Sequence, residues 1–174
     1  MPLAYRGFAG GMKPVEIVGL HLEATTNTPL VLLREQDEPH RLLSILVGDP
    51  EAIAIGAGLS GEVSVRPLTH DVMAALVETL DAQVERVEVT ELRDGAFVAE
   101  LALTGPGGGR RVATRPSDAI ALAVRVHAPL FVSDEVLAEA GTVPHEAPDD
   151  DAIDDAVDEF RSFLEGVAPD DFAA

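Results

Sequence analysis

The chain has 174 residues, enough for one domain with a sizeable core, and its apolar share is ordinary for a globular protein. It has no cysteine, which excludes disulfides and thiolate metal sites and makes a reducing cytoplasm the default expectation; it also lacks the apolar run of about 18 residues that a membrane span needs. The net charge of −19 is unevenly placed: residues 134–174 hold 14 acids and one base, against 17 acids and 11 bases before them. Such a field repels nucleic acid at long range, so chemistry on phosphates would need local arginines, a metal, or both.

Residues 1–12 are Gly-rich and read as a mobile leader, followed by a domain over 13–143. Residues 13–22 alternate as a strand whose phase breaks near Gly19. Two apolar β runs, 30–34 and 41–47, flank a polar link and predict a hairpin. Asp49 then reads as an N-cap, with Pro50 in the first turn and an almost wholly apolar helix over 52–59. A second helix opens at Thr69, read as its N-cap, with Met73, Leu76, Val77 and Leu80 as its apolar stripe. Residues 84–92 alternate as a strand, Asp94-Gly95 predicts a tight hairpin, and Phe97, Ala99, Leu101 and Leu103 line the returning strand. After a Gly-rich loop comes a strand over 110–114, then Arg115-Pro116-Ser117-Asp118-Ala119-Ile120-Ala121-Leu122-Ala123. Here Pro116 suits a first helical turn, and Ser117 and Asp118 can cap free N–H groups. Beyond them the helix is apolar on every side and must be covered all round. A short strand over 130–132 and a short helix ending at Gly141 close the domain. Residues 144–174 read as an acidic tail with an amphipathic helix carrying Ile153, Val157, Phe160 and Leu164.

Glu51-Ala-Ile-Ala-Ile55 matches Asp118-Ala-Ile-Ala-Leu122 at an offset of 67, and Val15-Glu-x-Val matches Val84-Glu-x-Val at 69. Each half thus reads strand, hairpin, apolar helix. The expected fold is α+β: duplicated βββα units forming mixed sheet packed with helices. Two helices without a polar face, and the tail's unpaired stripe, predict a homodimer.

Three blocks, Arg66-Pro-Leu-Thr-His-Asp71, Thr90-Glu-Leu-Arg-Asp-Gly-Ala-Phe97 and Arg115-Pro-Ser-Asp-Ala-Ile-Ala-Leu-Ala123 with Pro129-Leu-Phe-Val132, resemble the bifunctional nuclease family of bacteria and plants. Asp158-Glu-Phe-Arg-Ser-Phe-Leu-Glu165 and Pro169-Asp-Asp-Phe172 are similar to the tail of its actinobacterial members. The resemblance implies an α+β fold, a homodimer and cleavage of both DNA and RNA. Leu46 stands where the family pattern implies a tryptophan.

The residues themselves admit two readings. His70 and Asp71 are adjacent at a helix start, so their side chains diverge by about 100° and cannot chelate one ion as a pair. A third group such as Glu91, Asp94 or Asp118 would have to join them, with His70 as general acid or base and a cation, Mg or Mn, activating water. Alternatively, Thr69 and Asp71 cap the helix and His70 fills a polar gap. Arg115 can clamp a phosphate, aided by Ser117 and the helix N–H groups, or can pair with Asp118; Arg66 offers a second phosphate contact. Glu91, Arg93 and Asp94 flank a turn and are secondary candidates. The working expectation is that His70, Asp71, Arg115 and Asp118 converge, with Asp71 and Asp118 sharing the metal. Against a nuclease stands a non-enzymatic dimeric module that binds a small anion or a protein.

Overall fold

A computed structural model describes residues 11–61 and 65–144. The tail helix over 152–164 and most of the leader lie outside the described residues. The elements are β1 (Met12–Leu22), β2 (Pro29–Glu35), β3 (Leu42–Leu46), α1 (Asp49–Ser60), α2 (Thr69–Thr79), β4 (Gln83–Arg93), β5 (Ala96–Thr104), β6 (Arg110–Thr114), α3 (Pro116–Val126), β7 (Leu130–Ser133) and α4 (Asp134–Ala140). The architecture is α+β, with one mixed seven-stranded sheet in the order β3-β2-β1-β7-β4-β5-β6. β1 to β3 form an antiparallel meander that runs into α1, and β4 to β6 form another that runs into α3. β7 lies between them, antiparallel to β1 and parallel to β4.

The register explains the layering. Val31 pairs with Ile45, Leu33 with Leu43, Val87 with Leu101 and Leu130, and Val89 with Ala99 and Val132. All of these are buried on one face, together with Ile55 of α1, five successive residues of α3 (Ala119, Ile120, Ala121, Leu122, Ala123) and Val136 and Leu137 of α4. β1 keeps its apolar residues on that face across Gly19 because the pairing shifts between Ile17 and Gly19, a bulge where the sequence breaks phase. The opposite face carries charge: Arg34 pairs with Glu16, and buried Glu88 is held by Arg86 and Arg111.

Helix starts differ from the sequence expectation by one residue. Gly48 and not Asp49 is the N-cap of α1, and Leu68 and not Thr69 precedes α2; neither makes a side-chain cap bond. Backbone geometry, extended at both caps, decides this rather than side-chain preference. The α2 stripe is also corrected. Met73 and Ala74 pack on the core, and His70 is the buried residue of the helix, whereas Leu76 and Leu80 are exposed. α2 lies chiefly against α3 and not against the sheet, so the face it buries is rotated from the apolar stripe.

α1 packs closely on α3 at Gly58. A Cβ there would sit 2.4 Å from Val124 Cγ2 and 3.1 Å from Arg125 Nη1. Val124 is stiff at χ1 and cannot yield cheaply. Gly58→Ala gains about 0.5–1 kcal/mol of helix propensity, but overpacking costs about 1–3 kcal/mol, so a net loss of about 1–2 kcal/mol is expected in denaturant titration, relieved by adding Val124→Ala.

At the far end of the sheet Glu35 is fully buried and takes Arg41 at 2.7 and 2.9 Å, while Arg41 also reaches Asp134 at 2.7 Å. Arg41's hydrogen bonds hold Glu35 below its ordinary range despite burial, and they lower Asp134 too. Because the folded pKa is depressed, this stabilisation is present above the unfolded value and lost as pH falls through the folded one. The melting temperature is therefore expected to fall on acidification below about 4.5, the ordinary glutamate value. Glu35→Gln should be less stable at pH 7 and lose less stability than the wild type as the pH falls below about 4.5.

Candidate functional site

The starts of three helices meet around one carboxylate. His70, in the first turn of α2, is only 7% exposed, and its Nε2 lies 3.3 Å from Asp118 Oδ1 in the first turn of α3. Asp118 is gripped by Arg115, Nε to Oδ2 at 2.7 Å and Nη2 to Oδ1 at 3.0 Å. The same Nη2 reaches Glu51 Oε1 of α1 at 2.9 Å. Burial pushes the Asp118 carboxyl up, but the hydrogen bonds and charge of Arg115, and then His70, outweigh it and hold the group below its ordinary range. Asp118, followed by Glu51, raises the Arg115 guanidinium in turn. An ionised Asp118 only accepts hydrogen bonds, so a neutral His70 carries its proton on Nε2 and keeps its lone pair on Nδ1.

Asp71 does not join this group. Its Oδ2 accepts the Leu68 N–H at 2.7 Å, the backbone-facing half of a capping box. Its Oδ1 takes Arg125 Nε at 2.5 Å. Arg125, in the last turn of α3, also donates from Nη1 to the carbonyls of Ala54 and Ala121, at 3.0 and 2.7 Å. Hydrogen bonding from this arginine is the main cause that holds the Asp71 carboxyl below its ordinary range. Successive helical side chains point about 100° apart. His70 therefore meets the beginning of α3 and Asp71 its end.

The other candidates separate as well. Ser117 is buried at the second position of α3, whose N-cap is Arg115 and makes no side-chain cap hydrogen bond. Arg66 is exposed and makes no hydrogen bond or ion pair among the described residues. Glu91 and Arg93 pair with each other on β4, and Asp94 sits in the hairpin turn at φ 51°. Among the described residues no group of three or more His, Asp or Glu is disposed to hold a metal ion. Asp71 and Asp118, expected to share one, are each taken by a different arginine, so the donor set as arranged does not fit a resident cation.

Glu51 and Arg125 are the participants that reasoning on sequence missed. The signal for Glu51 was present: it is the acid of the repeated acid-Ala-Ile-Ala run, in register with Asp118. For Arg125 the only signal is a charge at the end of an apolar helix. A groove of about 1010 Å³ opens beside this second cluster, lined by Asp71, Glu78, Asp81, Arg125 and small residues of α1 and α2, and not by His70 or Asp118.

The family described as "Bifunctional nuclease domain" matches residues 31–145. Over 167 residues the chain is 38% identical to an uncharacterized protein of Mycobacterium tuberculosis (strain H37Rv), covering 94% of this chain and 99% of that protein. It is 28% identical over 145 residues to Bifunctional nuclease 1 of Arabidopsis thaliana, covering 78% of this chain and 45% of the plant protein. To Bifunctional nuclease 2 of Oryza sativa it is 29% identical over 117 residues, 66% of this chain and 36% of that one. The chain thus spans less than half the length of either plant protein. The family match runs from β2 past α4 and takes in His70, Arg115, Asp118 and Glu51, and on its extent the chain belongs to the bifunctional nuclease domain family.

Proposed function

We propose that the chain hydrolyses phosphodiester bonds of DNA and RNA with little sequence preference, at the place where the starts of α1, α2 and α3 meet. The observation that carries this reading is the hydrogen-bonded series from His70 Nε2 through Asp118 to Arg115. Asp118 keeps the proton on Nε2, so Nδ1 is the basic nitrogen and can take a proton from an attacking water. As that proton arrives, the Asp118 carboxylate stabilises the imidazolium. Arg115 and the unpaired N–H groups of the helix starts offer donors to the phosphate oxygens, where negative charge grows in the transition state. The names of the plant relatives support the same reaction class. No step is assigned to a metal; assays in Mg²⁺, in Mn²⁺ and in EDTA test whether a cation enters with the substrate.

With labelled single-stranded oligonucleotides, His70→Ala is expected to lower kcat by about 10²–10⁴-fold, the usual range for a general base, and Arg115→Ala to reduce kcat/KM. Asp71→Asn should lower the melting temperature and leave kcat per folded molecule nearly unchanged, since Asp71 serves Arg125 and the α2 start. Cleavage unaffected by His70→Ala would overturn the assignment.

One observation favours a second reading, a non-enzymatic dimeric module for a small anion or a protein partner. Arg115's charge is already met by two carboxylates, on a chain of net charge −19. Saturable anion binding without any cleavage would select it. Under either reading we take the two meander-plus-helix halves as copies of one βββα unit, supported by their placement on either side of β7, and the chain as a homodimer. Ile53 of α1 is 69% exposed, while its repeat counterpart Ile120 is fully buried. Leu76 of α2 and Leu80 just after it are exposed too, and we take these apolar positions as ones a second copy would cover. Light scattering should give about twice 18.3 kDa for the wild type, shifting toward one chain in Ile53→Glu or Leu76→Glu.

A further inference from the structure

The two apolar helices begin alike in one respect, an acid at the third position, and differ at the N-cap. Arg115 is the N-cap of α3, and 67 residues earlier Gly48 is the N-cap of α1, the same offset that aligns Glu51 with Asp118. Each acid is the third residue of its helix. α3 therefore brings an acid and an arginine, whereas α1 brings an acid and a glycine. The Glu51 carboxylate folds back over its own N-cap, so closely that a Cβ on Gly48 would meet Oε2 at 2.4 Å. From there Oε1 reaches across to Arg115 Nη2 at 2.9 Å. One guanidinium is shared by the acids of both helices.

We infer that Glu51 is a positioning residue that, with Gly48 leaving room for its carboxylate, fixes Arg115 as the phosphate contact of the site; this rests on the phosphodiester reading given above. An arginine has five N–H donors in a rigid plane. Asp118 accepts hydrogen bonds from Nε and Nη2, Glu51 forms an ion pair at Nη2, and Nη1, without a partner among the described residues, is left for a phosphate oxygen. Arg115 is 65% exposed, and an ion pair with a residue three positions along the chain restrains such a side chain weakly. Glu51 is the more enclosed anchor, 18% exposed and mounted on a different helix. Its negative charge also opposes the substrate, which gives the role a signature that a purely structural residue lacks.

The test compares Glu51→Gln, Glu51→Ala, Gly48→Ala and Arg115→Ala in the full chain. Gly48 has φ −75°, which alanine adopts freely, so Gly48→Ala displaces the carboxylate without straining the backbone. Two readouts are taken: oligonucleotide cleavage, and the Arg115 Nε–H resonance in ¹H–¹⁵N NMR with and without a thymidine dinucleotide as the diester probe. Glu51→Gln keeps the acceptor and loses the charge, so its Nε–H signal stays sharp, kcat holds within about twofold and KM falls. Glu51→Ala and Gly48→Ala broaden the signal and lower kcat about tenfold, with melting temperatures showing folded protein. Sharp signals in both of these variants overturn the positioning role whether or not the wild type cleaves. Arg115→Ala deficient in cleavage beside wild-type kcat in Glu51→Ala overturns the role alone. Cleavage untouched by Arg115→Ala removes Arg115 from the site and overturns the inference, whereas a wild type that does not cleave overturns the phosphodiester reading.

Discussion

The need to cover α3 on all sides organises the molecule. Seven of its eleven residues are buried, from Pro116 to Ala123 apart from Asp118, so no long side of this helix can face water. β4 and β5 support it from below, and α1 and α2 flank it. Polar residues are then confined to its two ends, and both polar clusters of the helical layer are found there: Arg115 and Asp118 at the start, Arg125 at the finish. The neighbours complete each end according to which of their residues arrives. Glu51 and His70 meet the start, Asp71 and the Ala54 carbonyl the finish. Gly58 lets α1 come near enough for both meetings.

The two ends do different physical work. Arg125 is nearly enclosed, and its donors are spread over the Asp71 carboxylate of α2, the Ala54 carbonyl of α1 and the Ala121 carbonyl of its own helix. Removing Asp71 would leave this nearly enclosed charge with carbonyl partners only, a larger loss than at a fully exposed pair. Arg115 lies open to solvent, where ion pairs contribute about 0–1 kcal/mol. Held by its two carboxylates on one side, Arg115 keeps an open side that can take a further anion, as a ligand contact must. Stability belongs mainly to the closed end of α3 and adaptable chemistry to the open one.

Much of this was legible from local pattern. Period-two alternation marked the strands of both meanders, the phase break at Gly19 marked the bulge, and Asp94-Gly95 marked a turn with both residues at positive φ. The burial of α3 followed from the lack of any polar face between Ala119 and Val124. The choice of partners was not legible. Nothing in Asp71 and Asp118 as letters says that one will find Arg125 and the other Arg115, since that depends on where along α3 the start of α2 lands. Nor does the stripe of α2 announce that Leu76 and Leu80 stay bare, because a helix lying on another helix buries a face set by their crossing and not by its own sequence. Helix caps slipped by one residue for a related reason: an extended backbone at Gly48 and Leu68 sufficed without an accepting side chain.

The position of β7 has a bearing on how the chain is made. The inner edges of the two meanders, β1 and β4, do not pair with one another; each pairs with a four-residue strand formed late in the domain. As synthesis proceeds from the N-terminus, both edges stay open until residues 130–133 have left the ribosome, and the valines Val15, Val87 and Val89 stand beside them. The pairing that joins the halves spans more than 110 residues of chain, between Met12 and Ser133, a long loop to close and hence a slow step. A nascent chain arrested before Leu130 presents two unprotected strand edges at once. Those edges are suited to pairing with other chains, so the interval before β7 arrives is the one in which this protein depends most on being kept apart from its neighbours.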